Sequence, residues 1–148
     1  MAELGHIVVG VDGSENAQRA LDWAVALARP AGARVTAVHA LGLLDRVHDE
    51  RVPSASNHDE IAETFRSEWC AALDDAGIPG DRIMVDGSPA DVILATALER
   101  GADLVVVGER GSGGPASGGP ARELGSTSRR VLEGADRPVL AVPCEQPA

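Results

Sequence analysis

The chain has 148 residues, enough for one ordinary domain with its own core, and a formal net charge of −10, which argues against general binding to nucleic acid or to an anionic membrane. All thirteen basic residues are arginine; without lysine there is neither a P-loop, whose lysine must reach the phosphates, nor Schiff-base chemistry. One Phe, two Trp and no Tyr leave few platforms for stacking bases, and no apolar run approaches the ~20 residues of a membrane span.

His6–Val11 is a near-continuous apolar run, the pattern of a strand buried on both faces of a parallel sheet. Asp12-Gly13-Ser14 then turns the chain into a helix. Ala17, Ala20, Leu21, Ala24, Leu27 and Ala28 follow helical spacing, Ser14 is a good N-cap, and Pro30 and Gly32 are expected to end the helix. Arg34–Ala40 reads as the second strand. Residues 42–58 are polar and irregular, and a helix with Ile61, Phe65, Trp69, Leu73 and Ala76 on one face stops at Gly77. Trp23 and Trp69, both on helical faces, are expected to pack.

Ile83–Val85 gives a short third strand. Ser88-Pro89-Ala90-Asp91 opens the next helix with a capping serine, proline at the first helical position and a carboxylate at the third. That helix runs to about Arg100, and Leu104–Val107 is the fourth strand. Ser112-Gly113-Gly114-Pro115-Ala116 is copied at once as Ser117-Gly118-Gly119-Pro120-Ala121. A last helix from Ser126 to Glu133, closed by Gly134, leads into the fifth strand, Pro138–Val142. Strict β-α alternation specifies an α/β fold: a single doubly wound domain over 1–148, with a parallel sheet and helices on both faces. Ligands of such sheets sit at the carboxyl ends of the strands, where both glycine turns, Gly10–Ser14 and Gly108–Gly111, lie.

Cys70 and Cys144 are far apart with no CxxC, as expected for incidental thiols of a cytosolic protein rather than a disulfide framework or zinc site. Met1-Ala2-Glu3-Leu4 is acidic and carries no apolar leader, so a cytoplasmic location is expected. His48-Asp49-Glu50 and His58-Asp59-Glu60 raise the question of a metal, but their spacing fits no standard ligand pattern. No serine sits in a Gly-x-Ser-x-Gly elbow and no Ser-His-Asp order can be placed, so no catalytic residue is assigned. The chain reads as a binder.

Four stretches in order, Ile7-Val8-Val9-Gly10-Val11-Asp12-Gly13-Ser14, Gly87-Ser88-Pro89-Ala90, Ala102-Asp103-Leu104-Val105-Val106-Val107-Gly108 and Arg137-Pro138-Val139-Leu140-Ala141-Val142, resemble the universal stress protein family over nearly the whole length. The resemblance implies a five-stranded sheet in the order 3-2-1-4-5 and a homodimer paired through the fifth strand. It also implies ATP, or a related adenine nucleotide, with Mg²⁺, and an output read by a protein partner that the sequence does not identify. Members that bind ATP carry Gly-x2-Gly-x9-Gly-(Ser/Thr) after the fourth strand. Gly108-x2-Gly111 and Gly125-Ser126 fit this pattern, with a spacer of thirteen residues instead of nine. The extension costs only about 0.3 kcal/mol of loop-closure entropy.

By the same resemblance, Val11 and Asp12 would meet the ribose or a phosphate-bound Mg²⁺, with Asp12 the metal ligand, and the Ala40 backbone would meet adenine. Val107, Gly108, Gly111, Gly125, Ser126 and Thr127 would surround the phosphates. Each has a plainer role open to it: an Asx-turn for Asp12, a tight turn for the glycines, helix capping for Ser126 and Thr127. Arg110 would reach phosphates in place of the missing lysine, or sit solvated in its loop. A nucleotide-binding regulator leads; a dimeric interaction module without nucleotide, or a slow ATPase on the same cleft, are the alternatives.

Overall fold

The computed structural model describes residues 3–41, 55–110 and 124–144. β1 (His6–Gly10), β2 (Arg34–Ala40), β3 (Arg82–Val85), β4 (Leu104–Gly108) and β5 (Val139–Val142) form one sheet in the order β3-β2-β1-β4-β5. Every pairing is parallel. The expected strand order and parallel pairing are therefore those observed.

The uninterrupted apolar runs have a direct cause. Successive side chains alternate between faces, and both faces are covered. Ile7 and Val9 of β1, with Val35 and Ala37 of β2, pack against Ala20, Leu21, Ala24 and Ala28 of α1 (Glu15–Ala31). Val8, Val38, Val105 and Val107 point the other way, onto Ala90, Ile93 and Ala97 of a helix over Pro89–Arg100 and Val131 of one over Ser126–Gly134.

The motifs at the strand ends have equally plain reasons. Asp103 Oδ2 accepts the N–H groups of Gly5 and His6 at 2.9 and 3.0 Å, which fixes the start of β1 beside β4. Arg137 donates to the carbonyls of Ala97 and Ala102 at 2.8 and 2.7 Å, placing a cation at a helix C-terminus, where the helix dipole favours positive charge.

Several local expectations are corrected. α1 continues through Pro30; Gly32, at φ 65°, ends it by turning its N–H back to the last-turn carbonyls. Proline is tolerated there because it removes a single hydrogen bond from the final turn. The helix expected around Ile61–Ala76 is three pieces: α2 (Ala55–Thr64), a π-helical turn (Phe65–Trp69) and α3 (Ala71–Asp75). Cys70 N–H bonds to the Phe65 carbonyl at 3.1 Å, one residue further back than in an α-helix. That extra residue per turn buries Phe65, Cys70 and Leu73, whereas regular spacing would have turned Trp69 inward in place of Cys70. Trp23 is 51 % exposed and is not a core residue. The helices over Pro89–Arg100 and Ser126–Gly134 are α4 and α5. Ser88 does not accept a capping bond; its hydroxyl donates to Asp91 Oδ2 at 2.7 Å. Gly134 lies inside α5, where a Cβ would meet Leu94 Cδ1 at 2.9 Å.

Candidate functional site

The turn after β1 is held from three sides. Val11 N–H donates to the Val38 carbonyl at 2.8 Å, and its own carbonyl accepts from His39 Nδ1 at 2.8 Å. Because a carbonyl only accepts, His39 carries a proton on Nδ1. Asp12 Oδ1 accepts from Ser14 N–H at 2.9 Å and from the Ser14 hydroxyl at 2.5 Å, while Ser14 Oγ accepts Ala17 N–H at 3.1 Å. The Asx-turn and the N-cap thus form one chain of bonds, and Asp12 uses one carboxylate oxygen in it. Gly13 sits at φ +83°, and a Cβ there would lie 2.5 Å from Trp69 Cζ2. Glycine is required twice over, by backbone conformation and by the indole covering the turn. Trp69 meets His39 edge-on, with ring centroids 5.0 Å apart.

The turn after β4 is glycine for a different reason. A Cβ on Gly108 would stand 2.8 Å from both Cγ and Oδ1 of Asn16, a side chain only 7 % exposed. Asn16 Nδ2 donates to the Val142 carbonyl at 3.0 Å, and its Oδ1 accepts Arg110 N–H at 2.6 Å. The Glu109 carbonyl accepts Gly125 N–H at 2.8 Å and the Ser128 hydroxyl at 2.8 Å. The chain therefore leaves the sheet and returns to α5 at one fixed point.

Between the carboxyl ends of β1, β2 and β4 and the starts of α1, α4 and α5 lies a partly open cleft, where ligands of doubly wound sheets sit. Val11, Asp12, Ala40, Val107, Gly108, Arg110 and Thr127, seven of the residues singled out from sequence, line it. Gly125 is the N-cap of α5 and Ser126 its first residue, adjacent to the cleft without lining it. Neither makes a side-chain capping bond; Ser128, 1 % exposed, anchors that helix start instead. Gly111, the tandem pentads and the first His-Asp-Glu triplet lie outside the described residues, as does the side chain of His58.

The cleft also contains residues that sequence patterns did not single out. His39 and Ile93 are two; Asn16 stands immediately behind its wall. A signal for Asn16 was present: it precedes Ala20 and Ala24 at helical spacing, a polar residue on the inward stripe. Ser128 relates to Val131 in the same way. The titratable side chains lining the cleft are Asp12, His39 and Arg110; the rest of the wall is backbone, small apolar groups and hydroxyls. Such a wall suits a flat apolar ring system joined to a polar, anionic group. Among the described residues no three His, Cys, Asp or Glu side chains converge on a possible metal position. Among the same residues, no helix is long and apolar enough to cross a membrane.

The two cysteines differ. Cys70 is fully buried, and burial pushes its thiol up to about 11 despite the neighbouring Arg82 guanidinium. Cys144 is partly exposed, with its Sγ 3.3 Å from Asn16 Oδ1.

Comparison with known proteins is consistent along the chain. The model of the universal stress protein family matches residues 3–143. A universal stress protein of Thermus aquaticus is 37 % identical over 139 residues, covering 92 % of this chain and 96 % of the relative. Among solved structures, a universal stress protein in complex with cAMP is 29 % identical, with a TM-score of 0.69 over 95 % of this chain and 98 % of its own. One from Archaeoglobus fulgidus in complex with dAMP is 26 % identical, with a TM-score of 0.67 over 96 % and 99 %.

Proposed function

The chain belongs to the universal stress protein family, and from that membership and the cleft we propose that it is a cytoplasmic regulator that binds ATP or a related adenine nucleotide. The observation that carries this reading is a single cleft at the carboxyl ends of β1, β2 and β4 that gathers backbone-rich turns and the head of α5, in a family with relatives solved around cAMP and dAMP. Adenine and ribose would occupy the side formed by Val11, Asp12 and Ala40. Phosphate would face Gly108, Gly111, Arg110 and the start of α5 at Gly125, Ser126 and Thr127, where the N–H groups and hydroxyls of Ser126 and Thr127 favour an anion.

Magnesium fits as a companion of the triphosphate, since it is commonly held by one or two carboxylates together with phosphate oxygens. Asp12 is the carboxylate that lines the cleft, and the ion would neutralise phosphate charge there. The proposed homodimer pairs β5 with its symmetry mate, because β5 lies at the end of the sheet order and its run Val139–Val142 is apolar and uncharged.

Denaturing freshly purified protein and identifying released nucleotide by chromatography tests the binding, with ATP, ADP or AMP expected in near-stoichiometric amount. No released nucleotide, together with no heat on calorimetric titration with ATP and AMP, would overturn it. The four-residue excess in the phosphate spacer would then favour a dimeric interaction module that binds no nucleotide.

A further inference from the structure

We propose that Asn16 is a positioning residue that latches the loop after β4 to the chain end beyond β5, so that occupancy of the cleft is coupled to exposure of the Cys144 thiol. The coupling rests on the nucleotide reading above; the latch does not.

Asn16 occupies the first turn of α1 on its inward stripe, where α1 otherwise presents alanine and leucine to the sheet. Burying a primary amide is unfavourable unless its donors and acceptor are used, and here they are used across the fold. Nδ2 holds the Val142 carbonyl at the end of β5. Oδ1 has two lone pairs; one accepts Arg110 N–H at 2.6 Å and the other the Cys144 thiol at 3.3 Å. Glu109 reinforces the connection from the loop side: its N–H donates to the Val142 carbonyl at 2.7 Å, and its carboxylate accepts Cys144 N–H at 3.1 Å.

Two consequences follow from this geometry. Arg110 N–H points into Asn16, so this residue would meet a phosphate through its guanidinium, with Asn16 setting where that side chain starts. The loop and the tail also share one oxygen atom, so a ligand that draws Arg110 into the cleft shifts the hold on Cys144. By linkage, the equilibrium between the held and the released Cys144 in turn affects nucleotide affinity.

The test compares wild type with Asn16→Ala, using AMP and adenosine as probes. Amide exchange at Arg110 in the ligand-free protein is expected to quicken at least tenfold in the variant relative to the amides of β1; unchanged exchange would overturn the latch whatever the protein binds. In calorimetry AMP affinity should fall about tenfold, while adenosine affinity stays within twofold. An equal loss for both would reduce Asn16 to a packing role. Iodoacetamide labelling of Cys144, located by peptide mass spectrometry, should slow at least threefold when AMP is added to wild type, and this protection should vanish in the variant. AMP binding without protection would refute the coupling. Absence of AMP binding in wild type would sink the nucleotide reading and the coupling together, leaving Arg110 exchange to decide the latch. Should Asn16→Ala fail to fold, Asn16→Asp keeps the acceptor; slow Arg110 exchange is then expected, and fast exchange overturns the latch.

Discussion

Replacing Gly108 with alanine separates two explanations for a glycine at the head of a loop proposed to face phosphate. If its purpose is only to let a ligand approach, Gly108→Ala should fold normally and lose affinity. The structure places the obstacle behind the loop: the new Cβ would lie 2.8 Å from Asn16 Cγ and Oδ1, closer than such atoms can sit. Asn16 would have to leave Val142 and Arg110. Two hydrogen bonds at about 1 kcal/mol each, plus a stranded buried group, amount to about 2–4 kcal/mol. For a domain of this size that is a fall of roughly 5–15 °C in Tm.

A double-mutant cycle makes the reasoning refutable. Asn16→Ala alone should cost about 2–3 kcal/mol, because Arg110 N–H loses its partner while Val142 keeps Glu109. Once Asn16 is gone, the added methyl enters the space it vacated. The residual contact with the Asn16 backbone carbonyl, at 3.1 Å, asks for a shift of only a few tenths of an ångström. The double variant should therefore lie within about 1 kcal/mol of Asn16→Ala, a coupling of about 2 kcal/mol measured by urea denaturation. Additivity to within about 0.5 kcal/mol would show that Gly108 and Asn16 do not exclude each other.

Ellman's reagent at pH 8 should titrate one thiol, Cys144, in the native protein and the second only after denaturation, because Cys70 is buried and raised to about 11; two fast thiols would contradict the packing of the π-turn. Deleting four residues within Ser112–Ala121 restores the nine-residue spacing and should tighten ATP by preorganising the loop, with little change for adenosine; calorimetric titration with an unchanged ATP affinity would remove the loop from the phosphate site. Leu140→Asp places a charge on the edge strand and should shift the proposed dimer to monomer in light scattering at tens of micromolar; a wild-type monomer, or an undisturbed variant dimer, would refute pairing through β5. Arg100 holds Asp81, and Arg137 holds Asp136, below the usual carboxylate range. Both pairs therefore stabilise the fold above that range and lose this contribution as pH falls through the depressed values. Acid unfolding should follow that direction only weakly, and less in high salt, because both carboxylates are exposed.

The order of elements was legible in the sequence because each strand is buried on both faces and each flanking helix on one. Two periodicities, one continuous and one of 3.6 residues, thus separate them along the chain. The motifs at the strand ends were legible too, since Asp103 and Arg137 act on backbone groups, at the start of β1 and at the end of α4, that the alternation of helix and strand itself creates. Seven cleft residues could be named in advance because the resemblance points to the carboxyl ends of the strands and the head of the last helix, where such sheets hold ligands. What the sequence did not disclose depends on groups that meet only after folding. Helical spacing cannot show that one extra residue in the Phe65–Trp69 turn will bury Cys70 and set Trp69 against Gly13, since the partners of Trp69, Gly13 and His39, come from distant parts of the chain. Nor does the pattern reveal that Gly108 is small because Asn16, 92 residues earlier, fills the volume behind it. A glycine reports that something is close; only the tertiary structure says what, because the excluded volume belongs to a distant part of the chain.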